Sequence, residues 1–255
     1  LLEVSSQVGR KYGVFFTLVL YLTIGPFFAI PRCATVAFSV GLEQMMSKES
    51  YTMALAIFSF LFFVAVLFFS LRPGEILVWI GKVLNPLFLC FLAILIVRAL
   101  ISPMGKVVGM EAQGEYATGA FFTGVLEGYN TMDALASLAF GIIVVNVIRG
   151  LGVEEPENAA KNTVKAGALS SLLMASIYLL VTLLGAQSRA VIGISENGGA
   201  AFAGIADYYF GAAGAFILAV TVTLACLKTA VGLITSCGET FGELFLKDHL
   251  IRCGP

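Results

Sequence analysis

Four uncharged stretches dominate the hydropathy pattern: residues 12–31, 50–71, 166–188 and 208–227. Each is about as long as the ~20 residues a helix needs to cross ~30 Å of hydrocarbon. They are apolar continuously rather than at alternate positions, which argues against the strands of a membrane barrel. With the weaker stretches between them, the pattern predicts six helical segments. The first runs from about Tyr12 to Ile30 and continues through Arg32 toward Gly41, bent where Pro26 and Pro31 each withhold an N–H. The second is Tyr51–Ser70, ended by the turn Leu71-Arg72-Pro73-Gly74. The third is about Ile76–Ile101, with a kink expected at Asn85-Pro86. The fourth is about Ala117–Ile148, the fifth Val164–Ala186 and the sixth about Phe210–Cys237. A polar connection starting at Gly150 separates the fourth from the fifth. Arg189–Tyr209, rich in Gly and Ala, reads as a loop too apolar for a free linker, folded back against the bundle.

Composition sharpens this picture. Hydrophobic residues make up 59% of the 255 positions and charged residues 12%, about half the share of an average soluble domain. That is too little charge to cover a soluble surface. The fold class is therefore an all-α integral membrane protein, with residues 1–255 forming one transmembrane domain. A net charge of −1 without a basic patch gives nucleic acid nothing to bind. The five cysteines are scattered, with no C-x-x-C pair, and read as small apolar fillers. There is no G-x-x-x-x-G-K-[ST] loop and no H-E-x-x-H, and the single histidine is His249. These absences argue against an ATP-hydrolysing subunit and a metal or Ser-His enzyme, and no cofactor is expected. Lys and Arg in the connections divide nine against five, Lys228 lying within a span. The bias places both ends of the chain in the cytoplasm.

Polar residues inside apolar spans are where chemistry is expected. The fourth segment carries Glu127, Gly128, Tyr129, Asn130, Thr131 and Asp133 in succession near its middle. An acidic residue at the centre of a membrane helix costs ~2.5–3.5 kcal/mol on insertion scales. A discontinuous helix accommodates this cluster better than a continuous one facing a protein interior. Gly128 would unwind, Asn130 or Thr131 would cap the second half, and Asp133 would sit in its first turn. Unwound backbone at the midplane is how many secondary transporters hold solutes and ions. The Gly124/Gly128 spacing also suits a close helix contact. In the sixth segment, Lys228 reads as a buried, paired cation beside a coupling-ion site, as a proton-titrating group replacing a bound cation, or as a snorkelling lysine. The hydroxyl of its neighbour Thr229 can offer oxygen to Na⁺ or bond its own helix. Arg32 reads either as the lining of an aqueous vestibule or as an interfacial anchor.

Three stretches of the chain are similar to signatures of the bacterial branched-chain amino acid carrier family. They are Ile24-Gly-Pro-Phe-Phe-Ala-Ile-Pro-Arg-Cys, Glu127-Gly-Tyr-Asn-Thr-Met-Asp-Ala-Leu with Phe140-Gly-Ile-Ile-Val-Val-Asn146, and Leu224-Ala-Cys-Leu-Lys-Thr-Ala-Val-Gly. Their order and spacing agree, and the likeness covers essentially the whole chain. The resemblance implies a multi-pass carrier of the bacterial inner membrane that imports leucine, isoleucine and valine by symport with Na⁺ or H⁺. It implies a LeuT-type inverted repeat of which this chain holds about six helices, the third to the eighth of about twelve. The fourth segment then corresponds to a broken helix of that fold, and Thr229 lies on a helix that supplies hydroxyls to a sodium site. Beyond the solutes and the lipid bilayer, no obligate protein partner is expected. A non-transporting receptor or scaffold of the same fold is the alternative, and it need not keep a polar break.

Overall fold

The computed structural model describes residues 5–43, 50–71, 75–107, 109–153, 155–195 and 197–252. Residues 72–74 of the expected turn after the second segment lie outside them. The helices are α1 (Arg10–Leu22), a π-turn (Thr23–Phe27), α2 (Ala29–Gly41), α3 (Tyr51–Leu71) and α4 (Glu75–Ile101). They continue with α5 (Tyr116–Asn130), α6 (Asp133–Gly150), α7 (Pro156–Ser188) and α8 (Gly198–Arg252). Among the described residues, four stretches are long and apolar enough to cross a membrane: Arg10–Gly41 taken across its bend, Tyr51–Leu71, Pro156–Ser188 and Gly198–Gly242. Of the other two expected segments, the third holds a shorter apolar helix, Pro86–Ile101, and the fourth is divided in two.

The chain gathers into two compact units, one of residues 1–24 with 108–183 and one of residues 25–107 with 184–255. In the first, α1 touches α6. Its longest helix, α7, presents Leu169, Leu172, Leu173 and Leu179 outward, each more than 60% exposed. Leucines so exposed would cost free energy in water and none in lipid, which matches the membrane reading of the sequence.

In the second unit, α8 packs against α2, α3 and α4. The buried face of α2 is Ile30, Ala34, Ala37 and Phe38, at the three- and four-residue spacing of one helix stripe. Its small members let α8 approach closely, which is how helices associate when lipid removes the hydrophobic drive. Phe38 is fully buried, its ring 5.4 Å from Tyr51 and 5.6 Å from Phe58 on α3. A second cluster joins Leu95 and Ala99 of α4 to Leu184, Ile205, Ala206 and Leu218.

Three local features revise the expected element boundaries. The expected bend in the first segment is a π-turn, with Gly25 outside helical geometry at φ −82°, ψ −109°. A Cβ on Gly25 would lie 2.7 Å from the Cys237 sulfur, so any side chain there would have to push that thiol aside. Helix α4 runs as one element through Pro86, the position of the expected kink. The third feature corrects the loop assigned to Arg189–Tyr209. Only its first part is irregular, and helix resumes at Gly198. Asn197 caps that helix, its Oδ1 accepting the Ala200 N–H at 2.8 Å. The Asn197 amide donates in turn to both oxygens of Glu43, at 3.0 and 3.2 Å. Ala203, Ile205 and Ala206 are buried, so this stretch does fold back onto its own unit.

Gly211 divides α8 at φ 63°, ψ −165°, a region essentially reserved for glycine. Among the described residues, nothing beyond its own helix turn lies within 4 Å of where its Cβ would be, so the constraint is in the backbone. Gly211→Ala is expected to destabilise by about 1–3 kcal/mol. Gly232→Ala, in equally open space but on helical backbone, should be neutral or slightly stabilising. Thermal unfolding of the two purified variants in detergent checks the contrast; equal losses would refute it.

Candidate functional site: a helix break with a tethered carboxylate

The fourth segment is broken, and the break falls at Thr131 and Met132. Helix α5 ends at Asn130 and α6 begins at Asp133. Thr131 keeps right-handed geometry (φ −67°, ψ −18°), whereas Met132 takes the left-handed region (φ 62°, ψ 15°). It is the only non-glycine residue with positive φ among the described residues. Such a residue costs roughly 1–2 kcal/mol relative to the right-handed state, so the surrounding bonds must hold it. The Met132 N–H donates to the Tyr129 carbonyl at 3.0 Å, and its carbonyl accepts the Ala136 N–H at 2.8 Å. Thr131 Oγ1 lies 2.8 Å from the Gly128 carbonyl oxygen and 2.9 Å from Asp133 Oδ2. The Tyr178 hydroxyl, on α7, donates to the same Oδ2 at 2.6 Å.

These bonds correct two details of the expected break. Gly128 is not unwound; it lies in the last turn of α5, where its carbonyl meets the Thr131 hydroxyl. Met132 occupies the cap position in place of Asn130 or Thr131, and no side chain caps α6. The hydroxyl of Thr131 is held by Gly128 and Asp133 instead. Asp133 does stand in the first turn of α6, where the helix dipole favours a negative charge. Glu127 and Tyr129 are exposed. Nothing among the described residues comes within 4 Å of a Cβ built on Gly124 or Gly128, so their spacing brings no close helix contact.

The remaining candidates lie in the other unit. Arg32 is exposed in the first turn of α2, where its own carbonyl accepts from Thr35. Lys228 is half-buried on α8 and makes no ion pair among the described residues. The Thr229 hydroxyl donates to the Ala225 carbonyl at 2.9 Å, bonding its own helix. That bond uses the hydroxyl proton and leaves the oxygen lone pairs for a cation. Beside the π-turn, an open apolar cavity of about 440 Å³ is lined by Pro26, Ile30, Pro31, Phe63, Ile234 and Cys237.

Three residues of these networks were not singled out from sequence: Tyr178, Glu43 and Asn197. Tyr178 carried a readable signal. It is the one tyrosine of the uncharged run 166–188, and a phenol in a membrane helix needs a partner.

Comparison with known proteins bears on what this arrangement serves. Residues 1–249 match the family model described as branched-chain amino acid transport protein. The chain is 53% identical over 248 residues to the branched-chain amino acid permease BrnQ of Lactobacillus delbrueckii subsp. lactis, covering 97% of the chain and 56% of that protein. It is 41% identical to the permease BrnQ of Bacillus subtilis, covering 95% and 55%. It is 37% identical to the branched-chain amino acid transport system 2 carrier protein of Pseudomonas aeruginosa, covering 95% and 54%. The chain thus spans about half the length of the curated relatives it matches, all named as transport proteins rather than enzymes. No solved structure matches it.

The geometry of the break carries its own test. Met132→Gly removes the left-handed strain and should stabilise, by up to about 1 kcal/mol. Met132→Val adds a β-branched side chain at positive φ and should destabilise by more than that. Thermal unfolding in detergent decides; a Val variant as stable as the parent would mean the left-handed turn is absent.

Proposed function

Because the chain belongs to the branched-chain amino acid transport protein family, we propose that the protein carrying it imports leucine, isoleucine and valine into bacteria by cation symport. The observation that supports this most is the break at Thr131–Met132 within an otherwise apolar segment. Ends of a helix leave unpaired N–H and C=O groups, and in hydrocarbon each such group costs several kcal/mol. A break there is maintained where water or a solute meets the backbone.

The two ends of the break differ in sign. The C-terminal carbonyls of α5, those of Glu127 and Gly128 among them, carry partial negative charge. Asp133 adds a full negative charge across the gap. This set favours a cation, either the ammonium group of an amino acid or the coupling ion. Tyr129, Asn130 and Thr131 complete the polar lining of the proposed site. The N–H groups of the first turn of α6 suit a substrate carboxylate. The 440 Å³ apolar cavity has no part in this assignment.

For the coupling ion we favour Na⁺ over H⁺. Na⁺ prefers oxygen ligands, and the Thr229 oxygen keeps its lone pairs. Lys228 precedes Thr229 by one residue and so points about 100° away around the helix, which keeps its ammonium off the ion. In this reading the fold is a LeuT-type inverted repeat, crossed six times by this chain. It lies in the bacterial inner membrane with both ends of the chain cytoplasmic, and Arg32 lines a vestibule.

In the full-length protein, Asp133→Asn is expected to lower leucine uptake at least tenfold at equal membrane abundance. Uptake at the parent level would remove the break from the binding site. For the ion, Thr229→Val should raise the Na⁺ concentration needed for half-maximal uptake, with Lys228→Met near the parent. The reverse pattern would point to proton coupling through Lys228. Cysteine reporters at Asn158 and Asn197, beyond either end of the apolar run of α7, should label from opposite membrane faces; labelling from one face would exclude this topology.

A further inference from the structure

Thr131 presents a problem of proton accounting. Its oxygen lies 2.8 Å from the Gly128 carbonyl and 2.9 Å from Asp133 Oδ2, and a hydroxyl has one proton to donate. Its one proton can make a full-strength bond to the ionised carboxylate or to the carbonyl, and sharing it weakens both. When it serves Gly128, its lone pairs face the carboxylate across 2.9 Å. That arrangement is favourable only if something else neutralises Asp133.

Tyr178 changes this balance. It lies 45 residues from Asp133 in sequence, on α7, and its hydroxyl donates to Oδ2 at 2.6 Å, a length typical of a hydroxyl bonded to a carboxylate. Oδ2 therefore stays engaged in either arrangement of Thr131. Oδ1 is left as the remaining acceptor of the carboxylate.

We propose that Tyr178 is a positioning residue for amino acid binding, holding Asp133 by Oδ2 so that Oδ1 receives the substrate ammonium group. The proposal rests on the break being the binding site. With the site empty, Thr131 donates to Asp133 and the Gly128 carbonyl stays open to a cation. Once an ammonium group neutralises the carboxylate, Thr131 turns to Gly128 and completes the last turn of α5. Binding thus rearranges the break through one hydroxyl proton, while Tyr178 keeps α7 attached to α6.

The test is leucine uptake by the full-length protein carrying Tyr178→Phe, Asp133→Asn or both, at measured membrane abundance. Tyr178→Phe keeps the ring and removes the donor. It should raise the half-saturating leucine concentration about tenfold, the scale of a lost hydrogen bond to a charged group, with the maximal rate within about twofold. The double variant should be no worse than Asp133→Asn alone, because Tyr178 acts through that carboxylate. A purely structural role would instead lower abundance or add its loss to that of Asp133→Asn. Parent-like uptake by Tyr178→Phe while Asp133→Asn is impaired overturns the positioning role and leaves the site standing. Parent-like uptake by Asp133→Asn overturns the site and the proposal with it. If Tyr178→Phe fails to insert, fluorotyrosine at position 178 keeps the shape and changes only hydroxyl acidity. A shifted half-saturating concentration then supports the proposal, and an unchanged one overturns it.

Discussion

A peptide group in hydrocarbon has no water to fall back on, so its hydrogen bond must be made within the protein. Among the described residues, several departures from helical backbone within the apolar segments are repaired locally or left open for use. At Gly25-Pro26 the repair is a π-turn, and the missing glycine side chain leaves room for the sulfur of Cys237. At Gly211 a glycine-only conformation redirects α8 without any crowding. Gly119 bends the start of α5 at φ −152°, ψ 50°. The break at Thr131–Met132 is different in kind. The left-handed residue there is a methionine, which gains nothing from that conformation; its own backbone bonds go to Tyr129 and Ala136, and beside it a threonine, an aspartate and a distant tyrosine are bonded together.

That difference sets the break apart from the glycine interruptions. Glycine interruptions are inexpensive because no Cβ opposes them. A strained methionine between polar side chains persists only where the surroundings over-determine it, and such places cluster at functional sites. The electrostatics agree, since a helix C-terminus and a carboxylate face one gap and both favour positive charge. A family of carriers for zwitterionic amino acids has a use for such a gap.

The second unit shows how the same backbone constraint builds a support. Small residues on α2 let it lie against α8, and the aromatic contacts of Phe38 tie it to α3. The Glu43–Asn197 pair then fixes where the helix starting at Gly198 begins. Thr229, proposed above as a ligand of the coupling ion, is carried on this packed helix. A hydroxyl already anchored to Ala225 has little freedom left to lose on binding an ion.

Read alone, the sequence determined the membrane class, the helical content and the existence of a break near Asp133. Each of these depends on composition and on local backbone chemistry: uncharged runs of spanning length, and a polar cluster that a continuous helix tolerates poorly. Sequence placed the break one turn too early, at Gly128, because glycine is the residue whose intrinsic freedom can be read. It also took residues 198–209 for loop, since Gly and Ala give little periodic signal. Only the tertiary structure decided that Met132 takes the left-handed turn, that Asn197 starts a helix against Glu43, and that Tyr178 holds Asp133. The last two outcomes depend on partners 154 and 45 residues apart in the chain. No local pattern encodes which distant hydroxyl or carboxylate will arrive to satisfy a polar group.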